Sequence, residues 1–209
     1  MGEKMRKNQN QKILRMVEMA MLVALVVVLQ LISAMIPPIG GMVSITLTLV
    51  PVVVGAILFG VKGGAVLGFA FGMIVMINCI TALDPGGNLL WNINPFFTAM
   101  ICLVKGTAAG LIPALLYRVA TVKSESLTSR KKYVAALLAA LSAPIVNTGL
   151  FVCGMFAFFR DTLYAWAGGT QVFTYILVGL AGINFLVEFL INIILTPAIV
   201  RVVEAVRKK

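Results

Sequence analysis

The sequence predicts an all-α membrane protein that forms a single domain of six transmembrane helices over residues 1–209. Three observations support this fold class. Of the 209 residues 61% are hydrophobic, only 11% are charged, and the hydrophobic residues form runs of about the length that a membrane crossing needs. Because soluble domains carry about 25% charged residues, the composition excludes a water-soluble globular domain and a disordered chain.

The residue types exclude several function classes. The chain has 17 Lys and Arg against 7 Asp and Glu, but the basic residues lie between apolar runs, so we expect a lipid bilayer and no nucleic acid as the partner. There is no His, which removes the commonest general base and zinc ligand. We expect no metal site and no cofactor. One carboxylate deep in the spans does not make a catalytic pair, so we expect no enzyme.

The apolar runs divide the chain into six segments. The second segment is short, contains Pro51 and follows an alternating stretch at 44–48, so we expect its helix to start late or to be kinked at Pro51. The first segment is longer than a signal-peptide core, so we expect it to be retained. The predicted spans are residues 13–36, 44–60, 63–81, 95–118, 132–158 and 172–200.

The basic residues predict the orientation of the chain. Five Lys and Arg lie in the N-terminal region, one between the second and third segments, five around the fourth connection and four at the C-terminus, while Arg160 lies alone on the other side. By the positive-inside rule both termini are cytoplasmic. The connections at 37–41, 84–95 and 160–170 then face outside. Two of them are long enough to act as lids over a binding site.

Polar residues inside the spans indicate where a ligand binds, because each is costly unless it faces an interior. Lys105, Asn147 and Asn184 lie at about 14–18 Å depth from the outer ends of their segments, at 1.5 Å per residue. A shared site in the outer half explains this common depth. Glu188 follows Asn184 by one turn, and Asn192 and Thr196 follow at the same spacing, so these residues form one polar stripe along the last segment. The alternative for Glu188 is a purely structural ion pair with Lys105.

Other polar residues belong to the same predicted outer region. Gln30 and Asn78 lie near the outer ends of the first and third segments, and Asn94 lies in the outer connection. Trp91 is a candidate to stack on a ligand, although an interfacial Trp needs no ligand to explain it. The predicted substrate-binding residues are therefore Gln30, Asn78, Trp91, Asn94, Lys105, Asn147, Asn184 and Glu188.

Small residues at four-residue spacing predict close helix contacts. Segment three carries Gly64, Gly68 and Gly72, and segment four carries Gly106 and Gly110; we expect these to pack the protein against itself. Segment one carries Ala20 and Ala24 in its cytoplasmic half. The pattern leaves two possibilities for this pair, which are internal packing and a flat face for another membrane protein.

The chain has no energy source of its own. Gly55 and Gly60 have the spacing of a phosphate-binding loop, but Val61 and Lys62 follow where that loop needs Lys and then Ser or Thr. The chain has only six spans and no expected nucleotide site. We therefore expect a binding subunit that obtains the energy for transport from a partner protein.

The chain resembles the S components of energy-coupling factor (ECF) vitamin transporters. The resemblance runs through the basic N-terminus, Ala20 and Ala24, the run 49–60, the run 64–68 and the run 105–110. It implies a six-helix, vitamin-binding subunit in the bacterial plasma membrane that works with a membrane coupling subunit and two ATPase subunits. It also implies that Ala20 and Ala24 contact the coupling subunit.

The resemblance further suggests the class of vitamin. The run 144–149, which contains Asn147, and the intramembrane Lys105 are most similar to members that bind small acidic or amide-bearing vitamins. Pantothenate is therefore the first expectation, followed by riboflavin, folate and a pyrimidine precursor. A membrane scaffold or assembly protein is the alternative from a different class, favoured if the outer cavity is apolar and sealed.

Overall fold

The computed structural model describes residues 2–35, 47–122, 129–176, 178 and 182–207. This part of the chain is helical and contains no β-strand, which confirms the all-α prediction. Among the described residues, five helices are long and apolar enough to cross a membrane. The helices are α1 (Gly2–Met35), α2 (Leu49–Ile80), α3 (Pro85–Ile93), α4 (Pro95–Val122), α5 (Ser129–Phe158), α6 (Arg160–Ala167), α7 (Val172–Tyr175) and α8 (Gly182–Arg207).

Helix α2 contains two of the predicted segments, and it doubles back on itself at Gly60. Gly60 has φ 69° and ψ −159°, a conformation that is essentially restricted to glycine. A Cβ on Gly64 would lie 3.2 Å from the Cβ of Ala56, although residues eight apart in a straight helix are separated by about 12 Å. The arms 49–59 and 61–80 are therefore antiparallel. Pro51 lies in the first turn of α2, so the prediction of a late helix start is confirmed.

The glycines of α2 and α4 bring the two helix backbones into contact. A Cβ on Gly72 would lie 2.6 Å from the carbonyl oxygen of Cys102, and Gly68 and Gly64 lie in the same way against Gly106 and Gly110. Residue numbers rise along one helix as they fall along the other, so the two helices are antiparallel. The prediction that these glycines pack the protein against itself is confirmed.

Helix α1 packs along the first arm of α2 with one side only. The Thr48 hydroxyl donates a hydrogen bond of 2.7 Å to Oε1 of Gln30, and the Leu47 N–H donates one of 3.2 Å to Oγ of Ser33. Near the Gly60 turn, a Cβ on Gly63 would lie 3.1 Å from Cε of Met19. The opposite side of α1 is exposed, including both Ala20 and Ala24.

Two predicted outer connections are helical. The sequence stretch 84–95 contains α3, whose first residue is Pro85, and the stretch 160–170 contains α6. Proline suits the first helical position because the N–H that it lacks has no helical acceptor there. Leu90 of α3 and Leu163 of α6 are buried in a second hydrophobic cluster with Ile101, Met155, Phe159 and Ile176. These two connections are therefore packed against the bundle, while the predicted connection 37–41 lies outside the described residues.

The last predicted segment, 172–200, corresponds to α7 and α8 together, with residues 177 and 179–181 between them outside the described part. Helix α8 packs against α5 and α2. The described helices fit the predicted order of segments, with the Gly60 turn separating the second from the third. The number of crossings and the cytoplasmic position of both termini stay predictions.

Candidate functional site

A cavity opens at the end of the bundle that is remote from the Gly60 turn. Its empty space, counted together with the open solvent at its mouth, is about 430 Å³. Helices α2, α3, α4, α5 and α6 all contribute to its wall. The described residues that line it are Val75, Cys79, Asp84, Gly86, Gly87, Leu90, Thr98, Ile101, Cys102, Lys105, Phe151 and Trp166.

Lys105 supplies a positive charge to the cavity wall. It lies on α4 one turn after Cys102, and its Nζ lies 5.0 Å from the centroid of the Phe151 ring on α5. A cation over an aromatic face is attracted by the ring quadrupole, by about 0.5–2 kcal/mol. This contact holds the ammonium group at the wall but does not neutralise it. The cavity therefore carries a cation suited to an anionic ligand group.

Asp84 supplies a carboxylate at the same cavity, just before α3. Its Oδ1 is buried and accepts no hydrogen bond from the described residues. Burial raises the pKa of this carboxyl above its ordinary value, while the backbone N–H groups of Gly87 and Gly86 and the charge of Lys105 act in the opposite direction. Backbone bonds fix the carboxylate's position, since the Asp84 N–H donates to the carbonyl of Asn78 at 3.1 Å.

The remaining polar groups of the wall come from α2 and α4. Thr98 is buried, and its hydroxyl donates a hydrogen bond of 2.9 Å to the carbonyl oxygen of Asn94, which leaves the hydroxyl oxygen able to accept one. The Sγ atoms of Cys79 and Cys102 lie 3.9 Å apart, and both residues are free cysteines. The site thus combines one cation, one carboxylate, a hydroxyl and two thiols with apolar and aromatic side chains.

Three residues that the sequence predicted for the site have structural contacts elsewhere. Gln30 joins α1 to the start of α2 through Thr48. Asn94 accepts a hydrogen bond of 3.2 Å from the Phe97 N–H through its side chain, and so caps α4. Trp91 packs against the main hydrophobic core. None of these three is among the described residues that line the cavity.

Three other predicted residues, Asn78, Asn147 and Glu188, are buried along the bundle. Asn78 and Asn147 each have an Oδ1 atom without a hydrogen-bond partner in the described part of the chain. Glu188 is buried on α8, where its carbonyl accepts a hydrogen bond of 2.8 Å from Nδ2 of Asn192. The side chain of Asn184 lies outside the described residues. Lys105 is thus the predicted residue that the structure brings to the cavity.

Of the twelve described lining residues the sequence reasoning named only Lys105 and missed eleven, among them Asp84, Thr98, Phe151 and Trp166. Asp84 carried a signal, because it is an acidic residue directly before a Pro-Gly-Gly run that begins a helix. Phe151 had none, since an apolar side chain within a span is equally common facing lipid, whereas Trp166 lies in the connection 160–170, which the sequence predicted to face outside. Only the packing of α4, α5 and α6 distinguishes them.

A membrane-embedded helical bundle with a small, charged cavity near its end belongs to the class of small-molecule binding proteins of the membrane. A model of the family described as "ECF transporter, substrate-specific component" matches residues 14–200, and the chain belongs to this family. It is a multi-pass protein of the bacterial cell membrane, and the function of its family is transport.

A curated relative has a more specific name. The chain is 28% identical over 191 residues to the "Pantothenic acid transporter PanT" of Lactococcus lactis subsp. cremoris (strain MG1363). The similarity covers 87% of this chain and 89% of the relative. It therefore extends over nearly all of both proteins.

Proposed function

We propose that this protein is the pantothenate-binding S component of an ECF transporter and that Lys105 binds the carboxylate of the vitamin. The observation that carries the proposal is the ammonium group of Lys105 on the wall of a cavity in the bundle. The similarity to a pantothenic acid transporter supports the choice of ligand.

The energetic reason is the cost of a charge away from water. An ammonium group at membrane depth is retained when it pairs with an opposite charge or serves a function. A ligand carboxylate provides that opposite charge, and a charge-assisted hydrogen bond contributes about 1.5–3 kcal/mol. The cation–π contact with Phe151 leaves the N–H donors of Lys105 available for this bond.

The rest of the wall suits the remainder of the vitamin. Pantothenate has an amide and two hydroxyl groups as well as a short branched carbon chain. The buried Oδ1 of Asp84 is an acceptor for a ligand donor once the wall adjusts, and the oxygen of Thr98 is a second acceptor. Leu90, Ile101 and Trp166 offer apolar surface to the carbon chain. This combination favours an acid that also carries hydrogen-bond donors.

The proposal is tested by equilibrium binding to the purified protein. Lys105→Met should weaken pantothenate binding by more than about tenfold, which corresponds to about 1.4 kcal/mol. The same variant should change the affinity for the primary amide derivative of pantothenate far less, because that derivative has no carboxylate. The matched control is Lys62→Met, which removes an exposed charge next to the Gly60 turn. Unchanged pantothenate affinity in folded Lys105→Met would refute the assignment of Lys105 to the binding site. Preferential binding of riboflavin or folate would identify that vitamin as the ligand in place of pantothenate.

The transport partners complete the proposal. The family works with an ECF module, and we assign the contact with its membrane coupling subunit to Ala20 and Ala24. Both alanines are exposed on the side of α1 that faces away from α2. Two ATPase subunits then supply the energy that this chain does not provide.

The contact and the cavity are well separated along the bundle. Met19 lies level with Gly63, whereas Cys79 at the cavity follows sixteen residues later on the same helical arm. At 1.5 Å per residue this separation is about 24 Å. Partner binding and ligand binding should therefore respond to different substitutions.

A further inference from the structure

We propose that Cys79 and Cys102 form a dithiol modification site in the cavity wall, which a peroxide oxidises to an intramolecular disulfide that closes the cavity. The two Sγ atoms lie 3.9 Å apart, and both cysteines are reduced. The identity of the ligand that is excluded rests on the proposed function, whereas the disulfide itself does not.

The helix geometry directs the two thiols toward each other. In a helix the Cα–Cβ bond tilts toward the N-terminus. Because α2 and α4 are antiparallel, Cys79 near the end of α2 and Cys102 near the start of α4 tilt in opposite directions and meet. A disulfide has a sulfur–sulfur distance of about 2.05 Å, so the sulfur atoms must approach by about 1.9 Å. Because Gly72 lies against Cys102 and Cys79 follows Gly72 by seven residues, about 10 Å along the helix, the bond also requires the end of α2 to move toward α4.

The cavity gives a small oxidant access to the pair. Both cysteines line it, although little of either is exposed to bulk solvent. Lys105 follows Cys102 by three residues and lines the same wall. The thiolate is the nucleophilic form of a cysteine, so the oxidation begins when one of the two buried thiols loses its proton. The third cysteine, Cys153, is exposed and lies elsewhere on α5.

The oxidation is balanced with hydrogen peroxide as the oxidant. The thiolate of one cysteine attacks a peroxide oxygen, the O–O bond breaks, and a sulfenic acid forms as the leaving hydroxide takes a proton to give water. The second thiol then attacks the sulfenic sulfur, and its proton leaves with the displaced hydroxide as a second water. Two thiols are oxidised to one disulfide, and one peroxide is reduced to two waters.

The disulfide would restrict the wall on both sides of the cavity. It would tie the end of α2 to α4 close to Lys105. The carbonyl of Cys79 already accepts a hydrogen bond of 2.8 Å from Nδ2 of Asn88, so the position of α3 is coupled to Cys79 as well. A cavity whose walls are cross-linked cannot widen to admit a ligand. We therefore expect oxidation to weaken binding.

The test uses the full chain with Cys153→Ser, and this background with Cys79→Ser or Cys102→Ser. After peroxide treatment, mass spectrometry should find a peptide linked through Cys79 and Cys102 in the background protein. Its pantothenate affinity should fall by at least about tenfold and return with dithiothreitol. Each single variant should keep its own affinity through the same treatment.

A second readout is independent of the vitamin. Acetylation of Lys105 by a small acylating reagent, followed by mass spectrometry, should decrease when the disulfide closes the cavity. In the unmodified chain Cys153 reports whether the oxidant is active. Oxidation of Cys153 without a link between Cys79 and Cys102 would overturn the proposal. A link that leaves both the affinity and the acetylation of Lys105 unchanged would overturn the closure. Failure of the reduced protein to bind pantothenate would refute only the proposed ligand.

Discussion

A Cβ atom on Gly106 would lie 2.7 Å from the carbonyl oxygen of Gly68, so the backbones of α2 and α4 are in direct contact. The neighbouring atoms are backbone atoms, which cannot rotate away as a side chain can. The cavity lies immediately beyond this contact, between the ends of the same two helices. The spacing of α2 and α4 therefore sets the width of the site.

The first prediction concerns this contact. Gly106→Ala should lower the free energy of unfolding by about 1–3 kcal/mol, because the added methyl group forces the helices apart. The matched control is Gly149→Ala on α5, where a Cβ would meet no atom within 4 Å. That change should be neutral or stabilising by about 0.5–1 kcal/mol, as expected for alanine in a helix. Thermal melts in detergent measure both, and equal melting temperatures for the two variants would contradict the prediction.

The second prediction concerns the pH dependence of stability. Burial raises the pKa of Asp84 in the folded protein above the ordinary value of 3.8 for a free Asp side chain. The folded state therefore holds this proton more tightly, and the carboxyl costs stability as the pH rises from about 4 through its raised pKa. Asp84→Asn removes the titration. The melting temperature of this variant, relative to the unmodified protein, should increase with pH across that window.

Asp161→Asn is the control for this effect, since it removes an exposed carboxylate at the start of α6. Melting curves of the ligand-free proteins from pH 4 to pH 8 make the comparison. A melting temperature of Asp84→Asn that falls, relative to that of the unmodified chain, as the pH rises would show that the carboxylate is stabilised in the fold.

The third prediction separates coupling from binding. Ala20→Trp combined with Ala24→Trp should abolish uptake and association with the coupling subunit, because large side chains block close helix approach. Pantothenate affinity should stay within about twofold, since the cavity lies about 24 Å away along the bundle. The control is Met21→Trp with Leu25→Trp, at the same depth on a face turned by about 100°. Parallel loss of folding and ligand binding would identify the alanines as ordinary packing residues.

The fourth prediction concerns orientation. In a chain without native cysteines, Thr170→Cys should react with a membrane-impermeant thiol reagent added to intact cells. Ser126→Cys should react only after the cells are opened, because the positive-inside rule assigns the connection between α4 and α5 to the cytoplasm. Labelling of Ser126→Cys in intact cells would reverse the predicted orientation.

Hydrophobicity and glycine spacing were sufficient to predict much of the fold. Glycines repeated every fourth residue predicted that these segments pack within the protein, but the sequence did not predict that α2 and α4 pair with each other or that they are antiparallel. The helices α3 and α6 were not predicted, because each is short and its apolar residues are too few to resemble a span. Their positions depend on Leu90 and Leu163, which are buried by residues far apart in the sequence.

The site was only partly predictable for the same reason. Lys105 was found because a charge within an apolar run is conspicuous. The sequence analysis placed Asn147 at the depth of Lys105, but the residue of α5 that contacts Lys105 is Phe151, one turn nearer the outer end. Counting residues from the helix ends therefore gave the depth of a residue to within about one turn. Which polar residue reaches the cavity depends on where α3 and α6 cover the bundle. That arrangement is a tertiary property which residue spacing along one chain does not contain.

The reversal at Gly60 has a consequence for biogenesis. Residues 49–80 emerge from the ribosome as one apolar stretch, which as a straight helix would measure about 48 Å against a hydrocarbon core of about 30 Å. Inserted as a hairpin, this stretch returns the chain to the side from which it started; inserted as one tilted helix, it would send every later segment across in the opposite sense. The reversal at Gly60, which has a φ of 69°, therefore determines the side of the membrane from which α4 starts, and with it the direction of α5 and α8.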